Sequence, residues 1–483
     1  MENGSVAGKN VGGPDRIPST VGVLANTFPV LPVLPVLCRR TTAGPRHRFL
    51  PPVLKIIAFI VLGLILAAFA VIGLLYVTRG TPLQSVRAVG DDSEPPAVTD
   101  PQFRHTAELL SKMSIQPGNS ADILLNGDET YPRLWEDLRS ARKSITLQLY
   151  YVRPGRMADT LRTILLERSR AGVHVLFLHD AFGSSDIGEE YLASLRQGGV
   201  RVAVFRPIHW YSIDKATSRS HIRVVVVDGE IGYTGGFGID DKWFGDGHTV
   251  GEWRDTNVRF RGPAVMQLQA TFAAGWVEAT GVLLVGDLFF PAHEFTEDDG
   301  PYLAALLHAS PTVGSTAAER FLALSIAGAR RSLYISNSYF VPDDDFRRLL
   351  TTAAQSGVDV RILTASEKTD IKATWRAGRY RYEELLSAGV RVYEYQPAMM
   401  HAKTFVVDGV WSSIGTMNID NRSLAFNDES NLVVAGAEFG SRLEAVFLDD
   451  LRYSHEFTLE EWRERPWTER VKEWIANTMS RLL

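Results

Sequence analysis

From Ala141 onward the chain spells one series of elements and then spells it again. Ala141-Arg-Lys-Ser-Ile-Thr-Leu-Gln-Leu-Tyr-Tyr151-Val-Arg-Pro154 returns as Ala329-Arg-Arg-Ser-Leu-Tyr-Ile-Ser-Asn-Ser-Tyr339-Phe-Val-Pro342. Ala171-Gly-Val-His-Val175 returns as Ser356-Gly-Val-Asp-Val360, and Gly199-Val-Arg-Val202 as Gly389-Val-Arg-Val392. Each copy reads helix, strand, helix, strand, helix, strand, and then a β-branched strand that a histidine opens. Strands alternating with helices predict an α/β fold with a mixed sheet flanked by helices on both faces. Two matched halves predict a pseudo-twofold pair of lobes, with the crevice between them as the pocket.

Ahead of the repeat, Ile56 to Val77 contains no charge and only two glycines, Gly63 and Gly73. That is long enough to cross a hydrocarbon layer of about 30 Å as a helix. It lies too far from Met1, and is too long, to be an ordinary cleaved signal peptide. Arg39, Arg40, Arg46, Arg48 and Lys55 precede it, while Asp91, Asp92 and Glu94 follow Arg79 and Arg87. The positive-inside rule then keeps the N-terminus in the cytoplasm and sends the lobes across, as a single-pass membrane protein. The expected division is a disordered tail over 1–53, with Pro29, Pro32 and Pro35 barring a continuous helix, and a transmembrane helix over 54–78. A linker over 79–105, lobe one over 106–300 and lobe two over 301–483 with a C-terminal helical tail complete it. The single cysteine, Cys38, excludes a disulfide framework and a thiol nucleophile, and a net charge of −5 argues against bulk binding of nucleic acid.

The chemistry sits on the last strand of each copy. His221-Ile-Arg223-Val-Val-Val-Val-Asp228-Gly and His401-Ala-Lys403-Thr-Phe-Val-Val-Asp408-Gly lie 180 residues apart, each followed by a small-residue turn at Gly235 or Gly415. Residues i and i+2 of a strand share a face. His221 with Arg223, and His401 with Lys403, therefore point into one space. Two histidines suit covalent phosphoryl transfer: one imidazole attacks phosphorus, the other protonates the departing alkoxide, and the roles reverse as the acceptor arrives. Arg223 and Lys403 would hold the non-bridging oxygens, and no metal or cofactor is required. Gly236, Thr416 and the Asn418 amide are expected around the phosphate, since small residues let backbone approach an anion. Asp255 and Glu429 are the candidate carboxylates that fix the histidine tautomers. Asp228 and Asp408 complete the motif and are counted with the catalytic set, although Asp-Gly after a strand reads first as a turn former.

His-x-Lys-x4-Asp followed by Gly-small-x-Asn, present twice, resembles the phospholipase D superfamily. Leu125-Asn-Gly127-Asp128, Trp253-Arg-Asp255-Thr256, Gly262-Pro-Ala-Val265, Tyr339-Phe-Val-Pro342, Tyr393-Glu-Tyr-Gln-Pro397 and Asn418-Ile-Asp420-Asn-Arg422-Ser423 are similar to phrases of its bacterial cardiolipin synthase branch, over residues 106 to 450. The resemblance implies a two-lobed fold, a metal-free phosphohistidine mechanism with His221 as nucleophile and His401 as acid and base, and phosphatidyl transfer between two phosphatidylglycerols with release of glycerol. The partners it implies are phospholipid and membrane, not nucleic acid.

Two positions depart from that pattern. Arg223 stands where the superfamily has lysine, and Gly238 where it has asparagine. Arginine still grips phosphate but with a wider fork, and losing the amide at 238 removes an oxyanion donor. Alternatives are therefore a hydrolase or membrane-tethered nuclease acting on phosphodiesters, and a weakened lobe that binds phosphate or lipid. Among lesser signals, His174 and His179 read as satisfied edge or core histidines, and His209 to Lys215 as a surface loop or a roof over the pocket. Trp462, Trp467 and Trp474 fall on a helix that either packs back on the domain or lies at a membrane interface, with Pro466 starting or breaking it.

Overall fold

A computed structural model describes residues 51–77, 83–88, 94–207, 218–293, 295–312 and 314–480. The N-terminal tail with Cys38 and its arginines, the stretch from His209 to Lys215, and Leu482 and Leu483 lie outside the described residues. Pro52–Val77 is one helix, apolar on every side, its described side chains all exposed. Such a surface suits lipid rather than water.

The repeat folds as two matched sheets. In lobe one the strands are β1 (Gln116–Leu125), β2 (Ser144–Leu149), β3 (His174–Asp180), β4 (Arg201–Phe205), β5 (Val224–Val227), β6 (Ile231–Gly235), a two-residue β7 (Trp253–Arg254) and β8 (Thr256–Arg261). Lobe two supplies β9 (Tyr302–Ala309), β10 (Ser332–Asn337), β11 (Asp359–Ala365), β12 (Arg391–Tyr395), the short β13 (Met399–Met400), β14 (Lys403–Val407), β15 (Trp411–Gly415), β16 (Glu429–Ala435) and β17 (Ser454–Phe457). The lobe-one order is β1-β8-β6-β5-β2-β3-β4, and lobe two repeats it as β9-β16-β15-β14-β10-β11-β12, with β17 added at the edge. β1 pairs antiparallel with β9, joining the halves into one sheet of 15 strands.

Each sheet is covered on both faces. Thr146 donates to Gln269 of the helix Pro263–Thr280 at 2.9 Å, while on the other face the Tyr233 hydroxyl donates to Asp137 of the helix Asn126–Ser140. The valines of β5 and the Phe405-Val-Val407 run of β14 are buried throughout, as strands covered on both faces require.

The linker expected over 79–105 ends earlier than that. Asp100 caps a helix, Pro101–Ser111, whose Phe103 and Ala107 are buried in the core of lobe two, with the Phe103 ring edge-on to Trp411 at 5.2 Å. Burial of that face outweighs its distance in sequence from the rest of lobe two. His174 lies exposed at a strand end and His179 is buried on β3.

Candidate active site

Two short cross-lobe pairings build the site. β13, ending just before His401, runs parallel to β7, ending just before Asp255, and the His401 N–H donates to the Arg254 carbonyl at 2.7 Å. In the pseudo-equivalent place, Ser220 bridges Asp428 in parallel and the His221 N–H donates to the Asp428 carbonyl at 3.0 Å. Each histidine is therefore laid beside the carboxylate of the opposite lobe. His221 Nδ1 lies 3.1 Å from both oxygens of Glu429, and His401 Nδ1 lies 2.9 Å from Asp255 Oδ2. The carboxylate makes Nδ1 the protonated nitrogen and leaves Nε2 free to act.

Both rings line one cavity of about 300 Å3, together with Arg223, Asn418, Arg422, Trp243, Trp253 and the tyrosines 150, 151 and 339. Tyr150 stands edge-on to His221 at 5.3 Å, and Trp253 and Trp243 lie 4.6 and 5.4 Å from the His401 ring. Burial first, and then the charges of Arg223 and Lys403, hold both imidazoles well below the usual histidine range, so both are neutral. Burial pushes Glu429 up to about 7, against the Ser423 and Thr416 hydroxyls that donate to it, and pushes Asp255 up as well.

The expected cations are anchored inwardly. Arg223 donates through Nη1 to the His221 carbonyl at 2.6 Å and through Nε to the Phe237 carbonyl at 3.2 Å, and it keeps a place on the cavity wall. Lys403 is buried and donates to the His401 carbonyl at 2.5 Å. Asn418 lines the cavity, its amide oxygen 3.4 Å from the Ser338 hydroxyl.

Two of the phosphate contacts expected from sequence are engaged elsewhere. The Thr416 hydroxyl donates to Glu429 at 2.5 Å, and a Cβ at Gly236 would collide with the Asp255 carboxylate. Those small residues make room for the orienting carboxylate, and neither lines the cavity. Asp228 and Asp408 sit at the far ends of β5 and β14 from the histidines, each in the left-handed region at φ 55° and 52°. Asp228 accepts from the N–H groups of Arg142, Lys143 and Ser144 at 2.7 to 3.2 Å, and Asp408 from those of Arg330, Arg331 and Ser332 over the same range. They cap the entry of β2 and β10, and they do not reach the cavity.

The repeated architecture has counterparts among known proteins. The model of the cardiolipin synthase, PLD-like domain matches residues 134–276 and 322–451, one match in each lobe. The chain belongs to the cardiolipin synthase family of phospholipase D enzymes. A cardiolipin synthase of Geobacillus sp. (strain WCH70) is 36% identical over 379 residues, spanning 78% of this chain and 75% of the relative. Cardiolipin synthase 2 of Bacillus anthracis is 33% identical over 378 residues, 78% of this chain and 73% of that one. The crystal structure of a phosphatidylserine synthase of Haemophilus influenzae Rd KW20 shares the fold, with a TM-score of 0.61 at 11% identity over 80% of this chain and 100% of that one.

Several site residues of this cardiolipin synthase-family enzyme escape sequence reasoning. Trp243 donates its indole N–H to Asp255 at 2.9 Å. A Cβ at Gly238 would meet the same indole at 2.8 Å, so the glycine and the tryptophan go together. Laying Gly238-Ile-Asp-Asp-Lys-Trp243 on Asn418-Ile-Asp-Asn-Arg-Ser423 sets Trp243 opposite Ser423, which donates to Glu429. That alignment was the available signal. Arg254 pairs with Asp450 through two bonds of 2.8 Å, and Arg206 with Asp428 at 2.7 Å. Each is an ion pair between lobes, and each flanks one histidine and carboxylate pair. Nothing local in the sequence marks them.

Proposed function

We propose that this enzyme joins two phosphatidylglycerol molecules into cardiolipin and glycerol. The observation that carries the reading is the crossed pair: two imidazoles, each oriented through Nδ1 by the other lobe's carboxylate, opening on one small cavity.

His221 Nε2 attacks the phosphorus of the donor lipid as its bond to the terminal glycerol oxygen breaks. The phosphatidyl group is then held on His221, and His401 gives the proton that the leaving glycerol takes up. The terminal hydroxyl of the second phosphatidylglycerol returns a proton to His401 and attacks phosphorus, which frees His221. In the free site burial, and then the nearby cations, hold His401 in its neutral form. An arriving phosphodiester brings negative charge that offsets Arg223 and Lys403, which favours protonated His401 when it is needed. Arg223 and Asn418, on the cavity wall, are read as facing the charge that persists on the non-bridging oxygens, with Lys403 adding positive potential from behind His401.

The apolar helix Pro52–Val77 is read as a single membrane anchor, with the N-terminus cytoplasmic and the lobes outside. A reporter fused after Pro101 tests that orientation, and a cytoplasmic reporter reverses it.

The activity is tested with full-length protein in phosphatidylglycerol bilayers, following glycerol release and product lipid beside a single-stranded oligonucleotide. Cardiolipin formation lost in His401→Ala, with acid-labile phosphatidyl label on the wild-type chain and none on His221→Ala, is expected. Oligonucleotide shortening without lipid turnover overturns the reading in favour of a nuclease. Neither activity leaves a phosphate-binding lobe.

A further inference from the structure

The helix Trp467–Thr478 keeps an apolar stripe uncovered. Trp467, Val471, Trp474 and Ile475 fall at i, i+4, i+7 and i+8, one face of an α-helix, and Met479 continues it at the C-cap. All five are between 42 and 74% exposed. The opposite face is what fastens the helix to the fold. Glu473 is buried there, held by Arg465 at 2.8 Å and by Arg379 at 3.3 Å, and Ala476 packs with Val341 and Ala377. The helix is therefore amphipathic with its polar and small residues inward, the reverse of a surface helix in water. Contiguous apolar surface of this kind marks a binding face.

Its neighbour connects it to the cleft. The helix packs on Lys372–Arg379, which starts one residue after Ile371, an exposed side chain on the wall of the histidine cavity. Across the mouth, the exposed Phe182 of lobe one lines the same cavity. A cavity of about 300 Å3 is at the low end of small-molecule sites. It holds a phosphodiester headgroup, and the acyl chains of a phospholipid have to stay outside it. If they stay in the bilayer during the reaction, the mouth has to meet the bilayer. Exposed Lys368 and Lys372 bracket the cavity residues Asp370 and Ile371 in the chain, and exposed Arg470 lies beside the stripe. Glu367 and Asp370 are exposed in the same stretch, so the charge there is mixed, and the anionic lipid is the one the proposed substrate itself supplies.

We propose that the face Trp467, Val471, Trp474, Ile475 and Met479 lies in the interfacial layer of an anionic phospholipid bilayer and holds the cleft mouth at that surface. Tryptophan rings, apolar in body with one N–H, fit this depth, and the stripe is long enough to immerse the helix along its length. The inference rests on the lipid-substrate reading only for its purpose; the docking itself is separately measurable.

The test uses full-length Cys38→Ser protein in phosphatidylglycerol nanodiscs with Trp474→Cys carrying an environment-sensitive dye, and Glu136→Cys as a control on an exposed face of lobe one. A blue-shifted position-474 dye, quenched by lipid brominated near the headgroup and shielded from iodide, with the control dye in water, is expected. A water-exposed dye at 474 overturns the proposal. So does a shielded dye that brominated lipid leaves unquenched, while the unlabelled Trp474→Cys thiols of two chains cross-link to each other, which assigns the face to a second copy. Val471→Asp with Ile475→Asp should lower turnover of bilayer lipid about tenfold or more, through loss of buried apolar area, and leave turnover of a dispersed short-chain phosphatidylglycerol unchanged. Equal loss on both substrates counts against docking. A chain that turns over no lipid at all but shows the shielded, lipid-quenched dye defeats the proposed activity and leaves the docking intact.

Discussion

Trp243 and Ser423 occupy equivalent positions, yet one is an indole and the other a hydroxyl, and both donate to the carboxylate that orients a histidine. Trp243→Phe keeps the ring and removes the donor. It should cost about 1–3 kcal/mol of transition-state stabilisation, a drop of tenfold or more in kcat with little change in KM, because a buried carboxylate loses a partner. Unchanged kcat would show that the indole serves only as packing. Gly238→Asn, which restores the superfamily residue, should fail alone because its side chain meets that indole, and should be tolerated better beside Trp243→Ser. At this scale the sequence makes Gly238 legible as a lost amide. It cannot show the tryptophan that fills the space, because that contact depends on where the chain goes after the turn.

The pH dependence is also set by single residues. Glu429 is pushed up to about 7 by burial, and the Ser423 and Thr416 hydroxyls favour its ionised form and hold it down. A raised carboxylate is ionised above that value and takes a proton as pH falls through it, which weakens its hold on the His221 Nδ1–H. kcat/KM should therefore fall as pH drops through about 7. Removing a donor raises Glu429 further, so Ser423→Ala or Thr416→Val should move that acid limb upward by roughly half to one pH unit, taking a hydrogen bond as about 1 kcal/mol. A limb that stays put, or moves to lower pH, would separate Glu429 from the titration.

Among the elements, the short parallel pairing of β7 with β13 does more for the site than the long strands do, because it delivers His401 to Asp255. Arg254 locks that pairing through Asp450, both groups being buried. Arg254→Met leaves Asp450 charged and alone, and should destabilise the fold by about 3–5 kcal/mol, most of it recovered in Arg254→Met with Asp450→Leu. Thermal unfolding in detergent reads both, and a double variant no better than the single would exclude the buried charge as the cause. At the other end of the histidine strands, Asp228 accepts three backbone N–H groups and does not line the histidine cavity. Asp228→Ala should lower stability by about 1–3 kcal/mol with kcat per folded molecule unchanged. A kcat loss far beyond the loss of folded protein would return Asp228 to the catalytic set. The Asp-Gly turn was readable from the sequence as a turn, since the short polar side chain and the glycine are local signals.

For the molecule as a whole, the crossed carboxylates mean that neither lobe owns a complete site. His221 takes Glu429 from 208 residues away, and His401 takes Asp255 from 146 residues away. Because both pairs close within one chain, mixing purified His221→Ala with His401→Ala should give no activity. Recovery of a sizeable fraction of wild-type turnover would mean that chains exchange lobes.

The repeat, the α/β order of elements and the apolar span were settled by the sequence alone, and the two histidines with their cations were legible there as candidates, because periodicity, turn chemistry and short motifs act between near neighbours. The tertiary structure alone decided which carboxylate serves which histidine, that Thr416 and Gly236 sit against those carboxylates, and that the first helix of the folded body belongs to lobe two. Those outcomes depend on contacts between residues far apart in the chain, where the balance of burial, charge pairing and hydrogen bonding is struck only once the two lobes have met.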